Sequence, residues 1–181
     1  MERCATSTNV FNGRILKLRV DRVIFDDGVE STREVVEHPG ASVIIPLLDN
    51  EQVLLVRQYR YAIGKELLEI PAGTCNSGEP PEVCAKRELQ EETGYACQQL
   101  EKVMECYVAP GYSTEKIHFY LATRLRRTGQ STDEDERITV VPLAVTDALS
   151  KIRDGEICDA KTISAIFRLL DFVKVRQRRE S

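Results

Sequence analysis

The residues best suited to chemistry lie between Gly73 and Tyr95. They follow the pattern Gly-x5-Glu-x7-Arg-Glu-Leu-x-Glu-Glu-x-Gly-Tyr, fixed at Gly73, Glu79, Arg87, Glu88, Leu89, Glu91, Glu92, Gly94 and Tyr95. Each fixed polar or glycine position has a background frequency of roughly 6%, so accidental occurrence is on the order of one in a million and is set aside. On a helix, Glu88, Glu91 and Glu92 share a face and crowd their carboxylates together. That repulsion calls for a compensating cation, and clustered hard oxygen donors suit Mg2+ or Mn2+. Arg87 beside them can orient a carboxylate through two parallel hydrogen bonds. The alternative is a solvated amphipathic helix with Val83 and Leu89 on its buried side, but such a helix requires neither Gly73 nor Glu79 at its offset.

The elements that must position these groups can be read from the flanking residues. Pro80 and Pro81 suit a helix start and Gly94 suits the position past its end, so the segment between them is expected to be helical. Ahead of it, Ile15 to Val23 and Val29 to Glu37 read as strands joined at Asp26-Asp27-Gly28, an antiparallel hairpin. Ala41 to Leu48 and Gln52 to Gln58 read as strands around a turn at Asp49-Asn50. After the helix come strand-like stretches at Leu100 to Tyr107, Lys116 to Arg124 and Ile138 to Val141, with a polar loop from Arg126 to Asp135. Thr146 is expected to cap a helix running to Arg153, and Asp159 a second one reaching about Val175. This order predicts an α/β protein, a mixed sheet sandwiched between helices with the carboxylate helix in the active cleft. A lone hairpin is not stable, so residues 1–38 are expected to form a small amino-terminal β subdomain that mediates dimerisation, and residues 39–181 the main domain.

The pattern resembles, position for position, the signature of the Nudix hydrolases, which cleave nucleoside diphosphates linked to another moiety; Tyr95 is bulkier than the aliphatic residue usual there. The resemblance implies an α/β/α sandwich in which Glu88, Glu92 and the Ala72 carbonyl bind two or three divalent ions, Glu91 assists and Arg87 orients. Pro110, fifteen residues after Tyr95, is similar to a proline of the ADP-ribose pyrophosphatase branch. So are Arg33 to Ala41, Arg57-Gln58-Tyr59-Arg60, Glu69 to Gly73 and Asp159-Ala160-Lys161-Thr162, although GDP-mannose hydrolases share most of these. The resemblance implies that Arg60 binds the diphosphate and that Glu69 and Glu115 lie near substrate or metals. Arg57 is either a second diphosphate ligand or a strand-end partner of a surface carboxylate. A general base is implied in a loop at Asp133 to Glu136, with Glu134 as first choice and Glu136 next, as base or metal ligand.

The expected reaction is metal-dependent hydrolysis of a nucleoside diphosphate sugar, ADP-ribose first. The alternatives are GDP-mannose, another nucleoside diphosphate derivative, or a non-catalytic sensor of ADP-ribose-like ligands. Composition is consistent with this: 181 residues bound one substantial core, and a net charge of -4 leaves no electrostatic footprint for nucleic acid. No apolar run approaches a membrane span, and Met1 to Asn12 lacks the apolar core of a signal peptide, so a cytoplasmic protein is expected. Six dispersed cysteines without a Cys-x-x-Cys pair read as reduced thiols.

Overall fold

Two strands that are apolar on both faces organise the molecule. In the computed structural model, which describes residues 1–131 and 137–180 with side chains through Phe172, Ala41–Pro46 (β4) and Lys116–Arg127 (β9) run parallel at the centre of a four-stranded sheet. Val43, Ile45, Ile117, Phe119 and Leu121 face one core, shared with Val145–Arg153 (α2) and Ala160–Glu180 (α3). Their neighbours Ile44, Tyr120 and Ala122 face the other, against Ala85 and Leu89 of Pro81–Thr93 (α1). Alternation along two buried strands thus produces the α/β/α sandwich that the element order predicts.

Around this centre the sheet order is β7-β4-β9-β8, with Ala72–Thr74 as β7 and Tyr95–Tyr107 as β8. A second sheet has Gln52–Arg60 (β5) between Ile138–Ala144 (β10) and Lys65–Glu69 (β6). The third, at the amino terminus, is antiparallel, with Lys17–Phe25 (β2) between Glu2–Asn12 (β1) and Glu30–Glu37 (β3). The expected hairpin is β2-β3, turning at Asp26 to Gly28, but β1 extends it. Every residue of β1 is exposed, so no apolar alternation marks it; backbone pairing with β2, interrupted by two bulges, defines it.

One expectation is refined and one corrected. The turn at Asp49-Asn50 forms, Leu48 N–H donating to Gln52 O at 2.8 Å beside a Leu47 to Val53 bridge, but its two strands then diverge into different sheets, because β4 is buried on both faces and takes a parallel partner. Thr146 does not cap α2, whose N-cap is Ala144 without a side-chain bond. Asp159 does cap α3, its Oδ2 accepting from the Thr162 N–H at 3.0 Å. The Thr162 hydroxyl also donates to that carboxylate and accepts from the Ile70 N–H at 2.8 Å. One buried side chain therefore ties the start of α3 to the chain entering β7.

Candidate active site

The carboxylate helix begins and ends where its prolines and glycine require. Pro81 occupies its first turn, and Gly94 closes it in the left-handed conformation (φ 73), donating to the Gln90 carbonyl at 2.9 Å. The next loop takes up the carbonyls at this end. Thr128 N–H reaches Gly94 O at 2.8 Å, Ser131 N–H reaches Glu91 O at 3.3 Å, and Gln130 Nε2 reaches Glu92 O at 2.7 Å. Cys84, Ala85 and Leu89 bury the inner face, whereas Val83, which the solvated-helix alternative would bury, is 51% exposed.

On the polar face Arg87 organises the pattern. Its Nε and Nη2 donate to the two oxygens of Glu79, each at 2.9 Å, and its Nη1 donates to Glu88 at 2.6 Å and Glu91 at 2.9 Å. Repulsion among these carboxylates is thereby offset by one guanidinium, whose own pKa is driven up chiefly by Glu79. In return, the Arg87 hydrogen bond holds the Glu79 carboxyl at about 2, below its ordinary 4.5. A depressed folded-state pKa stabilises the fold above the ordinary value, and that contribution is lost as pH falls toward 2. Arg87→Met should abolish it: urea unfolding at pH 5, 4 and 3 should show a steeper acid loss in wild type than in the variant, and parallel profiles would refute the coupling.

The remaining pattern residues converge on β7. Glu92, buried, accepts from the Ala72 N–H at 3.0 Å. Gly73 packs so tightly on Glu88 that a Cβ built there would fall within the Glu88 carboxylate. Glu88, Glu92 and the adjoining backbone carbonyls form an oxygen-only donor set whose chemistry fits a hard divalent cation. Among the described residues, no three acidic, His or Cys side chains already stand in ligating array; Arg87 and the Ala72 N–H engage these carboxylates instead.

A cleft of about 420 Å³ opens beside Ala72, Gly73 and Thr74, with Arg60, Glu115, Asp159 and Lys161 also on its walls. Arg60 grips Glu69 side-on, Nε to Oε1 at 2.7 Å and Nη2 to Oε2 at 2.8 Å. Burial pushes the Glu69 carboxyl up, but Arg60 and Lys161 outweigh it and hold it below the ordinary range. Glu115 lies 3.9 Å from His38 Nδ1. Arg57 is not among the cleft residues: it alternates to the other face of β5 from Arg60 and lies 3.7 Å from Glu156. Glu134 and Glu136 lie outside the described residues.

Lys161 carries no role that the sequence assigns, yet it pairs with both Glu69 and Asp159. The only available signal was an Asp cap one turn before a hydroxyl residue. All six cysteines are free, and burial, with Cys75 nearby, pushes the Cys84 thiol up to about 12. Cys75 itself is buried, its Sγ 3.8 Å from the Ser42 hydroxyl.

A glycine-bearing strand laid on a carboxylate helix, inside an α/β/α sandwich, defines a Nudix-type site. The chain belongs to the NUDIX domain family, whose model matches residues 37–165. Nudix hydrolases generally depend on a divalent cation. The chain is 40% identical to a methanol dehydrogenase activator of Bacillus methanolicus and 37% identical to an ADP-ribose pyrophosphatase of Bacillus subtilis. Each match covers 91% of this chain and 90% of the relative. A GDP-mannose pyrophosphatase of Citrobacter koseri is 38% identical over 76% of both chains. In fold, an ADP compounds hydrolase superposes with a TM-score of 0.87 at 24% identity, covering 98% of this chain and 96% of the other.

Proposed function

We propose that this protein hydrolyses the diphosphate linkage of a nucleoside diphosphate sugar, converting ADP-ribose and water to AMP and ribose 5-phosphate. The observation that supports this reading is the cleft, whose walls include Ala72 and Gly73 together with Arg60 and Lys161. Glu88, Glu92 and the Ala72 carbonyl would hold Mg2+, or Mn2+, at two or three ions per site. Bound there, the metal supplies neutralisation of phosphate charge and a bound water of lowered pKa. Arg87 keeps Glu88 and Glu91 in register, and Arg60 binds the diphosphate. Glu134, with Glu136 as the alternative, accepts the proton of the attacking water. Residues 1–38 act as the association unit of a homodimer and residues 39–181 as the catalytic domain. The free thiols suit a cytoplasmic setting. Among the described residues, no helix is long and apolar enough to cross a membrane.

The test offers ADP-ribose, GDP-mannose, diadenosine polyphosphates and nucleoside triphosphates to the purified protein with Mg2+, with products separated by chromatography. ADP-ribose should be cleaved fastest, to AMP and ribose 5-phosphate. Preference for GDP-mannose would select the reading that the Citrobacter relative favours, and tight ADP-ribose binding without turnover would select a sensor. Cleavage of triphosphates alone refutes the proposal. The identity to the methanol dehydrogenase activator favours a second reading, in which the chain raises a dehydrogenase's activity. A methanol dehydrogenase assayed with and without the protein decides it.

A further inference from the structure

Two thiols lie side by side beneath the strand that carries Gly73. Ser42 pairs with Gly73 across the β4-β7 ladder, and a Cβ on Gly73 would point at Glu88, so α1 covers this face of β7. Cys75, two residues on, points to the same face; its N–H bonds the Gly40 carbonyl at 3.0 Å and its Sγ lies 3.8 Å from the Ser42 hydroxyl. From the helix side, Cys84 is fully buried and its Sγ donates to the Gly73 carbonyl at 3.5 Å. The Cys84 thiol is in hydrogen-bonding contact with both Cys75 and Ser42. The strand and the helix thus each bring a sulfur to one point.

Filling this space requires only small residues. What two adjacent thiols add is the capacity to join, and in a reducing compartment such a bond is transient and reports oxidation. Joining would be felt at the carboxylate site, because the sulfurs must close to about 2.05 Å. Gly73 has no room to move toward Glu88. Cys84 Sγ also accepts at 3.5 Å from Arg87 Nη2, the nitrogen that donates to Glu79. Drawing β7 onto α1 therefore displaces the Glu88 carboxylate, and turning Cys84 toward Cys75 releases both the Gly73 carbonyl and Arg87.

We infer that Cys75 and Cys84 form an oxidative modification site, at which a peroxide joins them in an intrachain disulfide that weakens cation binding by the carboxylate helix. Cys75, 6% exposed against 0% for Cys84, is the sulfur that a small oxidant meets first. It attacks hydrogen peroxide, the O–O bond breaks, and a sulfenic acid and one water result. The Cys84 sulfur then displaces the sulfenic oxygen as a second water. Two S–H bonds are lost, one S–S bond forms and the peroxide is reduced. A small dithiol reverses the step by exchange. The inference goes beyond the hydrolase reading, and the bond itself is observed without any substrate.

The test treats the reduced protein with hydrogen peroxide, alkylates the remaining thiols and cleaves the chain at Glu79 and Glu82, between the two cysteines. Mass spectrometry should find the flanking peptides joined through Cys75 and Cys84. Calorimetric Mg2+ affinity should fall by about tenfold or more, and ADP-ribose turnover likewise, since a displacement of about 1 Å can cost a site that much. Dithiothreitol should restore both. Cys75→Ser and Cys84→Ala should keep Mg2+ affinity and turnover within about threefold of wild type and lose the response to peroxide. Alkylation of both thiols after peroxide treatment, oxidation of Cys75 without a cross-link, or pairing of either only with another cysteine overturns the site. A bond between Cys75 and Cys84 that leaves Mg2+ affinity unchanged overturns its coupling to the carboxylate helix. If the reduced protein cleaves no nucleoside diphosphate derivative, the functional reading fails while peptide mapping and Mg2+ affinity still decide this one. If Cys84→Ala does not fold, Cys75→Ser supplies the same comparison.

Discussion

Glu92→Gln is expected to lower turnover by at least about a hundredfold, since metal-assisted stabilisation of a reacting phosphoryl group is worth several kcal/mol. The fold should survive. Glu92 is buried and its Oε2 accepts from the Ala72 N–H at 3.0 Å, and glutamine keeps a carbonyl oxygen of the same shape in that place. What it loses is the negative charge and one acceptor. Steady-state assay with saturating Mg2+, beside a thermal unfolding curve, separates the two effects. Near wild-type kcat at saturating metal would remove Glu92 from the catalytic set. Collapse of the unfolding transition would show instead that its bond to Ala72 is chiefly architectural.

Gly73→Ala carries the second largest effect, and it acts through one methyl group. A Cβ at this position has no room against the Glu88 carboxylate, whereas its extended strand pairing with Ser42 needs no special backbone angle. The obstacle is the far end of a flexible side chain, so Glu88 should swing aside while β7 keeps its ladder. We expect turnover to fall by about a hundredfold or more with unfolding free energy changed by only about 1 kcal/mol. Glu88→Gln should lie in the same activity range, and Gly73→Ala in that background should add little further loss. A Gly73→Ala protein with full activity would mean that Glu88 is not needed where the structure places it.

How far the sequence reached depends on whether an element announces itself locally. The carboxylate helix does: two prolines, a glycine and the spacing of its acids specify it without help from the rest of the chain. So do β2 and β3, through Asp26 to Gly28, and α3 through Asp159. The strand β1 offers no such signal, since none of its residues is buried, and β6 and β7 are too short to establish a period. The parallel pairing of β4 with β9 could not be read at all, because it joins segments far apart in the chain through backbone bonds alone.

The site shows the same division. Arg87's contacts with Glu79, Glu88 and Glu91 lie within one pattern; sequence pointed to a two-oxygen grip on a neighbouring carboxylate, and the carboxylate so held is Glu79. Arg57 and Arg60 looked alike in sequence; strand alternation sends one to Glu156 and the other to Glu69. Lys161 was legible only as part of a resemblance. Its charge acquires a use when α3 docks beside β6, a contact that no local rule predicts.

That docking also sets an order of events during synthesis. The hydrogen bond from Ile70 to Thr162 and the ion pair from Glu69 to Lys161 each span 92 residues, so they are among the last tertiary links a growing chain can make. A nascent chain displays its complete carboxylate helix well before it possesses the residues that anchor the opposite wall. The cleft lined by residues of β7 and of α3 should therefore be completed late, once α3 has been synthesised, with the carboxylate helix already present.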